Sequence, residues 1–291
     1  MKARKALAEH KTTFDELIGL TKSYRYSASY FQFINFVAKI KNYSAYNTAL
    51  IYAQNPNVTY VASKTDWKKR HDRVVKPEAR PLIILAPFHP VLFVFDVNDT
   101  EGAQLPERVF SPFWANGTVP DNAMDTIYKF CRKQNIVMRE VKRDTNSAGS
   151  IRTEYVKGKF KSYVIEVNNS HSPEVKFATI IHELAHLLCG HLGTHCDQDF
   201  WREREGLSLA QREFEAESVS FIVCKRYGIH SNSDEYLSGY IQETSVIPDI
   251  SIDTVLHVSG SIESAIKGKS PSIDKKKSIG NEEELQQLSL F

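Results

Sequence analysis

No two of the four cysteines (Cys131, Cys189, Cys196, Cys224) stand in a C-x-x-C pair. Reduced thiols, and with them a cytoplasmic protein, are the expectation. Long apolar runs are missing too: none approaches the roughly 18 residues of a membrane span. The first ten residues, Met1 to His10, are basic but have no apolar core of the signal-peptide kind. An excess of one charge is also lacking, with 37 Lys and Arg against 35 Asp and Glu over 291 residues. That near-neutrality hides an asymmetry. Residues 1–100 carry 15 basic side chains against 8 acidic, a balance of +7, and the rest of the chain balances to −5. The N-terminal part is therefore expected to meet a polyanion.

What is present centres on residues 177–191, FATIIHELAHLLCGH, with His182-Glu183-Leu184-Ala185-His186 in the middle. Ala, Leu and Ile surround the motif and no Gly precedes Gly190, so it reads as a helix. Residues four apart share a helix face. His182 and His186 can then ligate one zinc ion at about 2.0–2.1 Å each. Glu183 sits beside the metal, where a carboxylate takes a proton from water. Two imidazoles and a carboxylate in an otherwise apolar helix argue against plain core, since buried polar groups need partners.

The third ligand decides the subclass. A metzincin needs Gly at 189 and His at 192; the chain has Cys189 and Leu192. The next helix, Ser208 to Cys224, is acidic at its start and apolar at its end. Glu215 shares a face with Val219, Ile222 and Val223 and is expected to point inward as the ligand, with Glu213 and Glu217 on other faces as the fallback. Two His, one Glu and one open position make a catalytic rather than a structural site. Zn2+ is the expected ion, and Mn2+ suits the same donors. Tyr236, Tyr240 and His230 are the candidates for stabilising an oxyanion.

Upstream, residues 7–54 read as helices, a short one around Phe14 to Leu20 and others from Tyr30 to Gln54, stopped at Asn55-Pro56. Val58 to Ala62, Pro81 to Pro87 and Val91 to Asp96 read as strands. Between them lies a basic segment: Lys64, Lys68, Lys69, Arg70, Arg73, Lys76 and Arg80, with Tyr60 and Trp67 interleaved. Cations for phosphates and rings for bases are the recipe for single-stranded nucleic acid; a solvated loop with core aromatics is the alternative. Residues 101–120 read as a linker. Lys161 to Val167 reads as a strand before the H-E-x-x-H helix, an edge able to pair with an extended peptide. Helices are expected at 234–243 and 250–267, and residues 267–284 have too few apolar groups to fold.

Asn42 to Asn47, Asn55-Pro56, Tyr60 to Ala62, Trp67, Arg73 to Lys76, Ile84 to Pro87 and Phe95 to Val97 together resemble the single-stranded-DNA-binding domain of ArdC-type antirestriction proteins. His182 to His186 followed by Arg212-Glu-Phe-Glu-Ala-Glu-Ser-Val219 resembles the metallopeptidase domain of that family, akin to ImmA/IrrE. The resemblance runs from about residue 10 to 265. It implies an α+β protein, with a single-stranded-DNA-binding domain at 1–100 and a zincin-like metallopeptidase domain at 121–266. By resemblance, His182, His186 and Glu215 are metal ligands and Glu183 is the base of an endopeptidase with an unknown protein substrate. A bacterial mobile element or phage is implied as its source. The basic segment departs from the family, which has glycines where this chain has Asp72 and the Pro77-Glu78-Ala79 run.

The last residues, Gln287-Leu288-Ser289-Leu290-Phe291, resemble the short peptide with which bacterial polymerases hold the replication sliding clamp. Gln287, Leu288, Leu290 and Phe291 are the expected contacts, because apolar groups on a polar tail point to a partner.

Overall fold

A computed structural model describes residues 26–86, 91–105, 119–142, 148–196, 199–231, 233, 236–237 and 246–269. In chain order these form α1 (Ser27–Lys39), α2 (Ala45–Gln54), β1 (Val61–Ser63), α3 (Lys64–His71), β2 (Arg73–Val75), β3 (Leu82–Ile84), β4 (Leu92–Asp96) and β5 (Thr100–Gly102). The second half forms α4 (Ala123–Lys133), β6 (Ile136–Val141), β7 (Gly149–Val156), β8 (Lys159–Asn168), α5 (Pro173–Leu188), α6 (Leu209–Arg226) and α7 (Ile252–Ile266). The α+β class expected from the sequence holds. The Phe14–Leu20 helix, most of the 234–243 helix and residues 270–291 lie outside the described residues.

The two helices that carry the site each begin where a hydroxyl can cap them. Ser172 accepts the Val175 amide ahead of Pro173 at the first turn of α5, and Ser208 with Gln211 forms a reciprocal capping box on α6. β7 and β8 form a hairpin through Lys157-Gly158, both at positive φ (50° and 75°), the geometry a tight two-residue hairpin turn demands. The sheet order is β6-β8-β7, with β6 parallel and β7 antiparallel to β8. The strand expected as an edge, Lys161 to Val167, is thus the central one. It is flanked on both sides because its Tyr163-Val-Ile165 run is fully buried, as a central strand requires. β7 is the edge.

The main core gathers Phe177, Ile181 and Leu184 of α5, Val219, Phe221 and Ile222 of α6 and Val255, Leu256 and Ile262 of α7. Tyr30, Phe33, Ile34 and Val37 of α1 and Ala45 and Ala49 of α2 belong to the same core. Arg226, at the end of α6, is buried. It pairs with Glu263 of α7 and donates to the carbonyls of Val37, Ile40 and Tyr43. A boundary at residue 100 therefore does not separate two cores. The other faces of these helices, through Phe36, Ile40 and Ile51, cover Val58, Val61, Ile84 and Val94 of the small β1-β4-β3 sheet. Asp72, which stands where ArdC-type proteins have glycine, is left-handed (φ 48°), a conformation that Asp adopts more readily than most side chains.

Candidate metal centre

α5 carries His182 and His186 one turn apart, and their Nε2 atoms lie 3.1 Å from each other. Two ligands of one tetrahedral ion at about 2.0–2.1 Å would have their donors about 3.3 Å apart. α6 crosses α5 and brings in Glu213. Its Oε2 is 3.6 Å from His182 Nε2 and its Oε1 is 3.5 Å from His186 Nε2. The three side chains thus point one nitrogen, one nitrogen and one carboxylate at a common point. Glu217, one turn further along α6, lies 3.5 Å from His182 Nδ1. Burial pulls against protonation of His182, but the carboxylates of Glu213, Glu217 and Glu183 outweigh it and push the imidazole up to about 10. The same two imidazoles hold the Glu213 carboxyl well below the usual range.

Glu215, the expected ligand, is corrected by this geometry. The inward facing of Glu215 is as expected, since it is fully buried. Its carboxylate, however, accepts both terminal nitrogens of Arg204 (2.6 Å each), His191 Nε2 (2.9 Å) and the Ser251 amide (2.9 Å). Burial raises its pKa, yet His191 and Arg204 hold it below the ordinary carboxylate value. On a helix, residues 213 and 217 share a face that residue 215 does not, and that face is the one turned to α5. The pairing still reaches the metal centre indirectly. His191 Nδ1 lies 3.0 Å from His186 Nδ1. Burial lowers the pKa of His191 and so favours its neutral form, against the pull of Glu215. The network then admits one consistent assignment of protons. Glu215 accepts from His191 Nε2, His191 Nδ1 accepts from His186 Nδ1, and His186 Nε2 is left bare for a cation. Neither Arg204 nor His191 was expected from the sequence; His191 at the end of the motif stretch was the one available signal.

Glu183 is nearly buried and borders two cavities, of about 390 and 430 Å3, that meet at His182, Glu183 and Gly149. Gly149 begins the edge strand β7. A Cβ there would fall 2.5 Å from Thr179 Cγ2 and 2.7 Å from the Glu166 carbonyl, so only glycine lets β7 lie this close to α5. Of the oxyanion candidates, His230 lines the smaller cavity, Tyr236 is exposed, and Tyr240 lies outside the described residues. Cys196 donates to Asp199 rather than joining a metal cluster.

The basic segment divides. Trp67 is fully buried and donates to the Phe95 carbonyl, so its ring cannot stack on a base. Arg73 spends its guanidinium on Thr100, Gly102 and Ala103, holding β2 to β5. Lys76 donates to the Asn98 carbonyl. Trp67 thus belongs to the core, while Arg73 and Lys76 are part-exposed and brace the fold through these bonds. Lys64, Lys68, Lys69, Arg70 and Arg80 are exposed, with Lys68 and Arg70 in surface pairs to Asp72 and Asp66. Gln287, Leu288, Leu290 and Phe291 lie outside the described residues.

Residues 131–223 match the family model of the IrrE N-terminal-like domain, Peptidase_M78. The match takes in β6 to β8, α5 and most of α6, and so the whole candidate centre. Among solved structures, the Mn(II)-bound antirestriction protein ArdC from plasmid R388 aligns with 15% identity over 82% of this chain and 94% of its own. The TM-score of that alignment is 0.35. No curated protein matches the chain. No helix among the described residues is long and apolar enough to cross a membrane.

Proposed function

We propose that this chain is a metal-dependent peptidase of the antirestriction type that also binds single-stranded DNA. The observation that carries the first half is the convergence of His182 Nε2, His186 Nε2 and the Glu213 carboxylate beside Glu183. Two imidazoles and one carboxylate fit Zn2+ or Mn2+, and their spacing fits one ion. A bound divalent ion would polarise a peptide carbonyl and make water acidic enough to attack at neutral pH. The protein's own residues do the rest. Glu217 and the His191–Glu215–Arg204 chain fix the two imidazoles from behind, with Nε2 presented forward. Glu183 takes the proton from the attacking water and returns it to the departing amine. β7, unpaired on its outer side among the described residues, runs past the centre and gives an extended peptide a strand to join.

Lys64, Lys68, Lys69, Arg70 and Arg80 carry the DNA half, as phosphate contacts with little sequence preference. A protein that only shields single strands, with an idle metal centre, is the second reading; the surface cations favour it equally. Glu183→Gln separates the two. With DNA affinity and metal content unchanged, loss of protection against restriction in cells supports proteolysis, and retained protection rejects it. The tail Gln287 to Phe291 is proposed to hold a sliding clamp. Calorimetry on the full chain against one ending at Gln286 tests it, and equal heats would reject it.

A further inference from the structure

The larger cavity contains a cation that the mechanism above does not use. Arg212, on α6 next to Glu213, lines it together with Glu183, His186 and Leu209. Among the described residues the Arg212 side chain makes no hydrogen bond or ion pair, and its Nε is buried without a partner. The nearest acid in sequence, Glu213, is taken by His182 and His186, and Glu215 by Arg204 and His191. The other arginines lodged deep in the fold, Arg204 and Arg226, are fully engaged with carboxylates and carbonyls. Desolvating a guanidinium nitrogen without a partner is costly, so a half-buried unpaired Arg beside a metal cluster is poised for an anion. The planar fork suits a carboxylate, which it can grip with two parallel bonds.

The position says which carboxylate. The two cavities meet at His182, Glu183 and Gly149, and β7 runs beside both through Gly149. A peptide paired with β7 would cross the centre from one cavity to the other. The smaller cavity is walled by Thr179, Ser220, Ser231 and Ser233, and its charges are Glu183, Glu217 and His182. Only the larger holds an arginine. We propose that Arg212 is a specificity-determining residue that binds the carboxylate of an acidic side chain, Asp or Glu, close to the scissile bond on the larger cavity's side. This rests on the peptidase reading and names its substrate class.

Two measurements on the metal-loaded full chain test it. In the first, a proteome-derived peptide mixture is digested by wild type, Arg212→Gln and Arg212→Lys, and the cut sites are read by mass spectrometry. Asp and Glu should be enriched at one fixed position in wild type and lose that enrichment in Arg212→Gln, with Arg212→Lys intermediate. Cleavage without acidic preference overturns the proposal. In the second, calorimetry compares succinate monohydroxamate, which carries a free carboxylate, with acetohydroxamate, which does not; both grip the metal. The succinate probe should bind wild type about tenfold tighter, as one charge-assisted pair provides, and the difference should vanish in Arg212→Gln. Equal affinities in wild type overturn the proposal and leave the metal centre standing. An absence of cleavage with the tenfold difference intact removes proteolysis and upholds Arg212 as the carboxylate site. Binding of neither probe overturns both. Metal content and melting temperature of each variant confirm that the centre is formed.

Discussion

Three glutamates within five residues of α6 meet three fates. Glu213 faces His182 and His186, Glu215 is locked to Arg204 and His191, and Glu217 backs His182. Metal content should separate them. Glu213→Ala should lose most bound metal on dialysis, because two ligands hold an ion far less well than three. Glu217→Ala should keep the ion but bind it ~10–100-fold more weakly, the usual cost of losing a group that orients a ligand. Glu215→Ala should chiefly lower stability, by about 3–5 kcal/mol, because it takes the carboxylate away from the half-buried guanidinium of Arg204. Metal lost from Glu215→Ala and kept by Glu213→Ala at equal stability would reverse the assignment. Acid should act through the same residues. In the metal-free protein His191 titrates below its ordinary 6.5, and Glu215 and Glu213 below 4.5. The unfolded chain then binds more protons than the folded one, so stability falls as pH drops below 6.5 and again below 4.5. His182 has the opposite sign: its share is full below 6.5 and fades only as pH rises toward 10. A melting temperature that rises on acidification from pH 6.5 to 4 would contradict this.

The H-E-x-x-H helix was legible because its period and its chemistry agree: apolar residues set the buried face, and the two His fall four apart on one side. α6 was legible only in part. Val219, Ile222 and Val223 correctly implied that Glu215 points inward, but a residue can be buried for a partner as well as for a metal. Arg204, eleven residues back in an irregular stretch, leaves no periodic trace of that partnership. β7 is not announced by the sequence, because Ser150 to Val156 mixes charged and apolar residues before the Lys157-Gly158 turn, and the edge expected at β8 lies at β7. Gly149 makes the edge strand testable. Gly149→Val forces backbone and Thr179 apart, with an expected loss of about 1–3 kcal/mol and a displaced cleft. Unchanged thermal stability would show that β7 does not lie where described.

At the scale of the molecule, the resemblance places a domain boundary at residue 100, whereas the packing puts α1 and α2 in one core with α5, α6 and α7. Hydrophobic clusters form between segments far apart in sequence, and no local pattern announces them. A fragment of residues 1–100 would expose Tyr30, Phe33 and Ile34, which lean on Phe214 and the other residues of α6 and α7. It should behave as an unfolded or aggregating chain in circular dichroism and gel filtration, while the full chain binds single-stranded DNA with steep salt dependence. Reversing Lys68, Lys69 and Arg70 together in the full chain should weaken that binding and flatten the salt slope. An unchanged slope would move the DNA elsewhere.

The Arg226 grip on Val37, Ile40 and Tyr43 bears on how the protein can be recombined. A chimera that borrows its first hundred residues from a relative would carry in foreign carbonyls for that guanidinium and foreign rings for the core. A graft joined after Asn55-Pro56 keeps the whole clasp native and exchanges only the small sheets and the cationic helix α3. The join that spares the Arg226 clasp therefore lies some 45 residues before residue 100, and what it exchanges instead is the small sheet that Phe36, Ile40 and Ile51 cover.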